Sequence, residues 1–201
     1  MPQPASNASS TLDQFPAPLR TAGVHRDLVA GERLFSLRER PHWMFYVLAG
    51  EVRLVRRSAT GGEIILQRGR SGFIAEASLW ASAYHCDGVA AEAGTALAFP
   101  REVFHAALHQ DPQFQSAWMQ HLASEVRRLR AQCERLSLHG AAERILHYIE
   151  SEGRDGCLEL KQTRKAWAAE LALSHEALYR ALSRLQAEGI LVVARNRITR
   201  I

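Results

Sequence analysis

His175, Glu176, Tyr179, Arg180 and Arg184 are the side chains whose types and spacing best suit recognition chemistry. They stand off a stripe of Leu178, Leu182 and Leu185 that recurs at helical spacing. Arg can fork onto guanine O6 and N7, and Glu can accept from the cytosine amino group. Ser174 suits an N-cap and Gly189 a helix stop, which bounds the helix at both ends. Just upstream, Trp167 and Leu171 are four apart, with Ala168 and Ala169 small enough for a close crossing. Thr163 to Leu191 therefore reads as a helix-turn-helix whose second helix enters the major groove. Ile190–Val193 and Ile198–Ile201 read as strands around a turn at Arg195-Asn196-Arg197. That hairpin carries Arg195, Arg197 and Arg200 without an acid, which suits phosphate contacts. An amphipathic helix with outward arginines is commonly just a solvated face. Here the cap, the spacing, the glycine stop and the basic hairpin all agree on DNA.

The elements that must carry this motif fall into two patterns. From about residue 20 to 105, short apolar runs alternate with glycine turns: Arg33–Leu37, Met44–Leu48, a turn at Ala49-Gly50, Glu51–Arg56, a turn at Thr60-Gly61-Gly62, and Glu63–Arg68. Gly69 and Gly72 bracket a bend before Phe73, and Gly94 separates Val89–Ala93 from Thr95–Phe99. This predicts a compact β-barrel or β-roll. From Asp111 the period changes. Trp118, Leu122, Val126, Leu129, Cys133 and Leu136 form one stripe on a long helix whose outer face carries Glu125, Arg127, Arg128, Arg130 and Glu134. The stripe either packs on its own β domain or pairs with the same helix of a second chain, and pairing suits a dimeric DNA reader. Ala141–Glu150 is predicted as a further helix, ended by Gly153 and Gly156, and Cys157–Lys161 as a strand.

The 201 residues suffice for one large or two small domains, and 47% apolar content supports a real core. A formal charge of +4 permits a polyanionic partner without requiring one. No run of apolar residues is long enough to span a membrane. The first 18 residues, rich in Pro, Ser, Ala and Asn, lack a secretory pattern and read as a disordered leader. Cys86, Cys133 and Cys157 are odd in number and widely spaced, which suits a reducing cytoplasm rather than a disulfide framework.

A glycine-punctuated roll, a long helix and a C-terminal winged helix together resemble the bacterial Crp-Fnr transcription regulators. The most specific stretches are AGEVRLV at Ala49–Val55, GFIAEASLW at Gly72–Trp80 and SHEALYRAL at Ser174–Leu182. The resemblance implies an α+β chain: a leader over 1–18, a jelly-roll-like, cyclic-nucleotide-binding-like β-roll over 19–110, a dimerisation helix over 111–138, and a winged helix-turn-helix over 139–201. It implies a cytoplasmic homodimer on a double-stranded DNA inverted repeat, with RNA polymerase as a further partner. The family's recognition helix carries Arg-Glu and, four residues after the Glu, Arg. Glu176 and Arg180 match, His175 replaces the first Arg, and Ala172 occupies a turn position usually held by Gly.

Cyclic-AMP-binding members hold the nucleotide with a Gly-Glu pair and, about ten residues on, an Arg-Ser pair. Here these are Ala75-Glu76 and Cys86-Asp87. The arginine is missing and Asp87 would repel the phosphate, so cyclic AMP is not the expected effector. Arg68 or Arg70 is the remaining candidate to replace that cation. The resemblance also brings Cys133 toward the same pocket, so Glu76, His85, Cys86, Asp87 and Cys133 are its candidate lining. A soft-metal or redox sensor and plain apolar filling both remain open there. An iron-sulfur cluster needs four Cys ligands and three are present. Nine His leave haem open, with no spacing that singles one out. No phosphate-binding loop, HExxH or nucleophile elbow occurs, so the chain is not expected to be an enzyme. The alternative to DNA reading is a dimeric ligand-binding or scaffold module whose winged helix contacts protein.

Overall fold

The computed structural model describes residues 11–57, 63–160 and 162–201. The turn expected at Thr60-Gly61-Gly62 lies outside them, as does most of the leader. The chain divides into two compact units, residues 1–122 and 123–201, and the fold class is α+β.

The first unit is an antiparallel roll. Its strands are β1 (Val24–Leu28), β2 (Arg33–Phe35), β3 (Trp43–Arg57), β4 (Glu63–Gly69), β5 (Gly72–Ile74) and β6 (Asp87–Pro100), in the order β1-β6-β3-β4, with β2 on β6 and β5 on β3. The turns expected at Ala49-Gly50 and at Gly94 are absent. β3 and β6 are each continuous, and their mutual register slips between Val47 and Val52. The reason is local: Gly50 takes φ +84 opposite Gly94, where an added Cβ would lie 2.0 Å from the Ala49 carbonyl oxygen. Two glycines let the backbones cross this closely, so the strands bend without breaking.

Inside the roll lie Leu28, Phe35, Phe45, Val47, Val52, Leu54, Ile74, Tyr84, Cys86 and Ala90. On its other face, Met44, Leu97 and Phe99 pack under helices α1 (Ala17–Ala22), α2 (Arg101–Gln110) and the start of α3 (Pro112–Ser137). The helical period of Arg101–Gln110 begins before Asp111, so the first half of α2 falls within the stretch read as strands. The leader reading also fails from residue 11 on. Phe15 is buried, with ring contacts to Tyr46, Phe73, Phe99 and Phe114 at 4.8–6.4 Å.

The stripe of α3 divides. Phe114 and Trp118 are buried in the first unit and Leu122 packs against them, whereas Val126, Leu129, Cys133 and Leu136 are exposed. In the second unit α4 (Ala141–Glu152), α5 (Arg164–Glu170) and α6 (His175–Ala187) enclose one core with a three-stranded sheet, β7-β9-β8 (Cys157–Glu159, Arg197–Arg200, Leu191–Val193). Arg135 of α3 is buried in this unit. It lies over the Tyr148 ring at 4.4 Å and donates to Ser151 Oγ at 2.9 Å and Glu152 Oε1 at 3.1 Å.

The outer face of β3 and β4 holds a fully buried carboxylate. Glu51 Oε1 accepts from Arg53 Nε at 2.5 Å and Arg68 Nη1 at 2.9 Å, and Oε2 accepts from Arg70 Nε at 2.8 Å and Nη2 at 2.5 Å. Burial alone would raise this carboxyl, but the Arg53 and Arg70 bonds overcome it and hold the pKa below the ordinary 4.5. A folded-state pKa below the unfolded value gives stability that is present above pH 4.5 and lost as pH falls through the lowered value. Glu51→Ala leaves three guanidiniums without their anion and is expected to cost about 3–5 kcal/mol at neutral pH. Urea unfolding of wild type and variant at pH 7 and pH 3 checks this: the gap between them should shrink at the lower pH.

Candidate nucleic-acid interface and roll interior

The exposed face of α6 rests on a closed set of backbone contacts. Ser174 Oγ accepts from the Ala177 amide at 3.1 Å. Leu178, Ala181, Leu182 and Leu185 are buried. At the far end the Ile190 amide donates to the Leu185 carbonyl and the Gly189 amide to that of Gln186, at 2.9 and 3.0 Å, with Gly189 at φ +71. This is the Schellman arrangement. The same two bonds close α5: Leu173 donates to Ala168 at 2.9 Å and Ala172 to Ala169 at 3.1 Å. Here the left-handed position is Ala172, φ +51. Of the two alanines expected at the crossing, Ala168 is buried and Ala169 is exposed, because only the former faces the shared core.

Sequence reasoning missed two arginines that fix this geometry. Arg144 on α4 donates from Nε to the Leu138 carbonyl at 2.9 Å and from Nη1 to the Leu171 and Ala172 carbonyls at 3.0 and 3.1 Å. It holds the turn between α5 and α6. Arg164, at the start of α5, reaches the Ala194 and Arg195 carbonyls at 3.3 and 3.4 Å and so ties the wing turn to the first helix. Their partners are backbone carbonyls, which leave no side-chain pattern to read.

His175, Glu176, Tyr179 and Arg180 are exposed on the first two turns of α6, and the His175 and Tyr179 rings are 4.6 Å apart. Glu176 is held below the usual carboxylate range by its own backbone amide and by Ser174, so it is an acceptor at neutral pH. Arg184, further along, pairs with Glu188 at 2.7 Å. Arg195 is exposed at the wing turn. Arg197 is exposed as well and donates from Nε to Cys157 Sγ at 3.0 Å. Arg200 is paired with Glu150, so the hairpin is not free of acidic neighbours as its own sequence suggested.

In the roll, the candidate pocket residues go separate ways. Cys86 is fully buried while His85 is exposed. Burial, and then the Asp87 charge, push the Cys86 thiol up to about 11, so it is a neutral filler at physiological pH. Asp87 Oδ1 accepts from the Leu37 amide at 2.7 Å. This bond caps the loop at Leu37. Glu76 is bound by His121 Nε2 of α3 at 3.0 Å. Cys133 is exposed and belongs to the second unit. Arg68 and Arg70, the candidate replacements for the missing arginine, are held by Glu51. Phe35 stacks on Tyr84 with centroids 3.9 Å apart, and a Cβ at Gly88 would lie 2.5 Å from the Phe35 ring. Among the described residues no group of three or more His, Cys, Asp or Glu is placed to hold a metal ion.

Residues 25–111 match the model of the cyclic nucleotide-binding domain. Solved structures extend the likeness over both units. FixK2 from Bradyrhizobium japonicum is 19% identical with TM-score 0.67, covering 89% of this chain and 92% of its own. A regulatory protein from Silicibacter pomeroyi DSS-3 is 27% identical with TM-score 0.59, covering 92% and 85%. A transcriptional regulator of the CRP family from Thermus thermophilus is 22% identical with TM-score 0.57, covering 87% and 91%. Residues 25–111 thus carry the cyclic nucleotide-binding domain, and the fold of the chain is similar to that of these regulators. No curated protein sequence matches it. Among the described residues no helix is long and apolar enough to cross a membrane.

The left-handed Ala172 gives a direct stability test. Left-handed backbone costs a non-glycine residue about 1–2 kcal/mol, partly offset by glycine's larger unfolded-state entropy. Ala172→Gly is therefore expected to stabilise the second unit by about 0.5–1 kcal/mol. The midpoint of urea unfolding of the second unit, followed by far-ultraviolet circular dichroism, should rise with an unchanged slope.

Proposed function

We propose that this chain is a sequence-specific, DNA-binding transcription regulator that acts as a homodimer and whose effector is not cyclic AMP. The observation that carries the reading is the exposed set of His175, Glu176, Tyr179 and Arg180 on a helix capped at both ends, beside a wing turn presenting Arg195. Arg180 and the ionised Glu176 supply complementary donor and acceptor chemistry to base edges, and Arg195 suits phosphate. Arg184 and Arg197 would join through the donors that Glu188 and Cys157 leave free. His175 in place of the family's Arg implies a different base at one operator position.

The dimer reading rests on the exposed Val126, Leu129 and Leu136 in the second half of α3. Apolar side chains at that spacing fit a parallel helix pair. Leu122 packs with the roll-side cluster, so only the later residues are free to pair. The pair would set two recognition helices about one DNA turn, ~34 Å, apart on an inverted repeat. The reading against cyclic AMP is supported by the Phe35–Tyr84 stack, the neutral Cys86, the pairing of Glu76 with His121, and the placement of Arg68 and Arg70 around Glu51 on the outer face of the roll. The Cys86 side chain itself offers a cyclic phosphate no cation.

Three measurements check these statements. Fluorescence anisotropy on the best operator should show Arg180→Ala weaker by about 1–3 kcal/mol with relaxed preference at one guanine, and Arg195→Ala weaker on all sequences with a salt slope reduced by about 1. Equal affinity of Arg180→Ala and wild type would refute the assignment of α6. Sedimentation should give a wild-type dimer at micromolar concentration and a folded monomer for Leu129→Glu. Calorimetry with cyclic AMP should show no heat of binding, and micromolar affinity would overturn the effector reading.

A further inference from the structure

We infer that Arg53, Arg68 and Arg70, held by Glu51 on the outer face of the roll, form a binding site for a small phosphate-type oxyanion. The register makes the case. Arg53 and Arg68 are directly opposite each other across β3 and β4. Like charges so placed repel, and Arg70 adds a third on the same face two residues on. One carboxylate, Glu51, faces all three, and Glu92, 3.8 Å from Arg70, is exposed. Even with Glu92 counted, the cluster keeps a positive charge.

Its donors are in surplus too. A guanidinium carries five N–H donors. Arg53 spends Nε on Glu51 and Arg68 spends Nη1, and no other bond of either is seen among the described residues. Both guanidiniums keep a solvent-facing side, with side-chain exposures of 32% and 15%. Glu51 thus acts as a base plate. It fixes three flexible side chains in one array before any ligand arrives, so the ordering cost of binding is already met. Fork-shaped donors in a fixed array select a compact tetrahedral oxyanion over chloride. This site lies outside the roll interior and does not depend on the DNA-binding reading.

The probe is inorganic phosphate, against sodium chloride at matched ionic strength, read by thermal shift and by calorimetry on the full chain. To exclude phosphate captured by the DNA-facing arginines, the same titration is run on Arg180→Ala/Arg195→Ala. Wild type and that control should bind phosphate alike. Arg53→Gln/Arg68→Gln should bind about tenfold more weakly or worse, since each lost charge-assisted bond is worth about that factor. A purely structural cluster gives the opposite pattern: no phosphate effect beyond chloride in wild type, and no loss in Arg53→Gln/Arg68→Gln. Either result overturns the inference. So does a fall in the operator affinity of Arg53→Gln/Arg68→Gln in phosphate-free buffer, which would assign the cluster to DNA.

Discussion

The second unit depends on one guanidinium. Arg144 bonds the carbonyls of Leu138, Leu171 and Ala172, and so joins the approach to α4 to the turn between α5 and α6. Those carbonyls lie at chain ends that helices leave unsatisfied. A charged donor shared among them fixes the direction in which α6 leaves the turn. Its effect is larger because the turn residue is Ala172, which holds a conformation that glycine would adopt without strain. The polar residues at the start of α6 can meet base edges only if that direction is fixed, so the recognition reading stands on Arg144 as much as on Arg180.

The roll shows how one fold can keep its shape while its interior changes character. The cyclic nucleotide-binding domain is recognisable over residues 25–111. Yet Cys86, which the resemblance sets at the place of the phosphate-pairing arginine, is a buried thiol, and a stacked Phe35–Tyr84 pair fills the interior with Gly88 giving it room. Glu76 persists but is bound by His121 of the long helix. Cationic side chains are still plentiful in this unit, but they have moved to its outer face around Glu51. The charge that the interior lacks is concentrated on the opposite side of β3.

Much of the second unit was legible because its signals are local. A Ser cap, leucines at helical spacing and a glycine stop fix α6 from a dozen residues, and they hold in the structure with Ala181 added to the buried face. The roll was legible as a class and less so in its strands. Ala49-Gly50 looks like a turn in sequence, but the facing Gly94 makes it a close crossing, and only the pairing of β3 with β6 reveals that. Phe15 was hidden in a stretch whose composition suggests disorder, since composition does not register a single anchoring ring. Glu51 illustrates the same limit for charge. Whether a carboxylate faces a pocket, caps an amide or gathers arginines is set by tertiary contacts, and residue type alone is silent on it.

Everything proposed for α3 and α6 requires the molecule to read DNA sequence as a symmetric pair. Selection of binding sites from a random-sequence duplex library by the purified wild-type chain tests that most directly. Enrichment of a single inverted repeat with half-sites about one helical turn, ~34 Å, apart is the expected result. Retention of duplexes without any shared sequence, or enrichment of a lone unsymmetrical site, would contradict it.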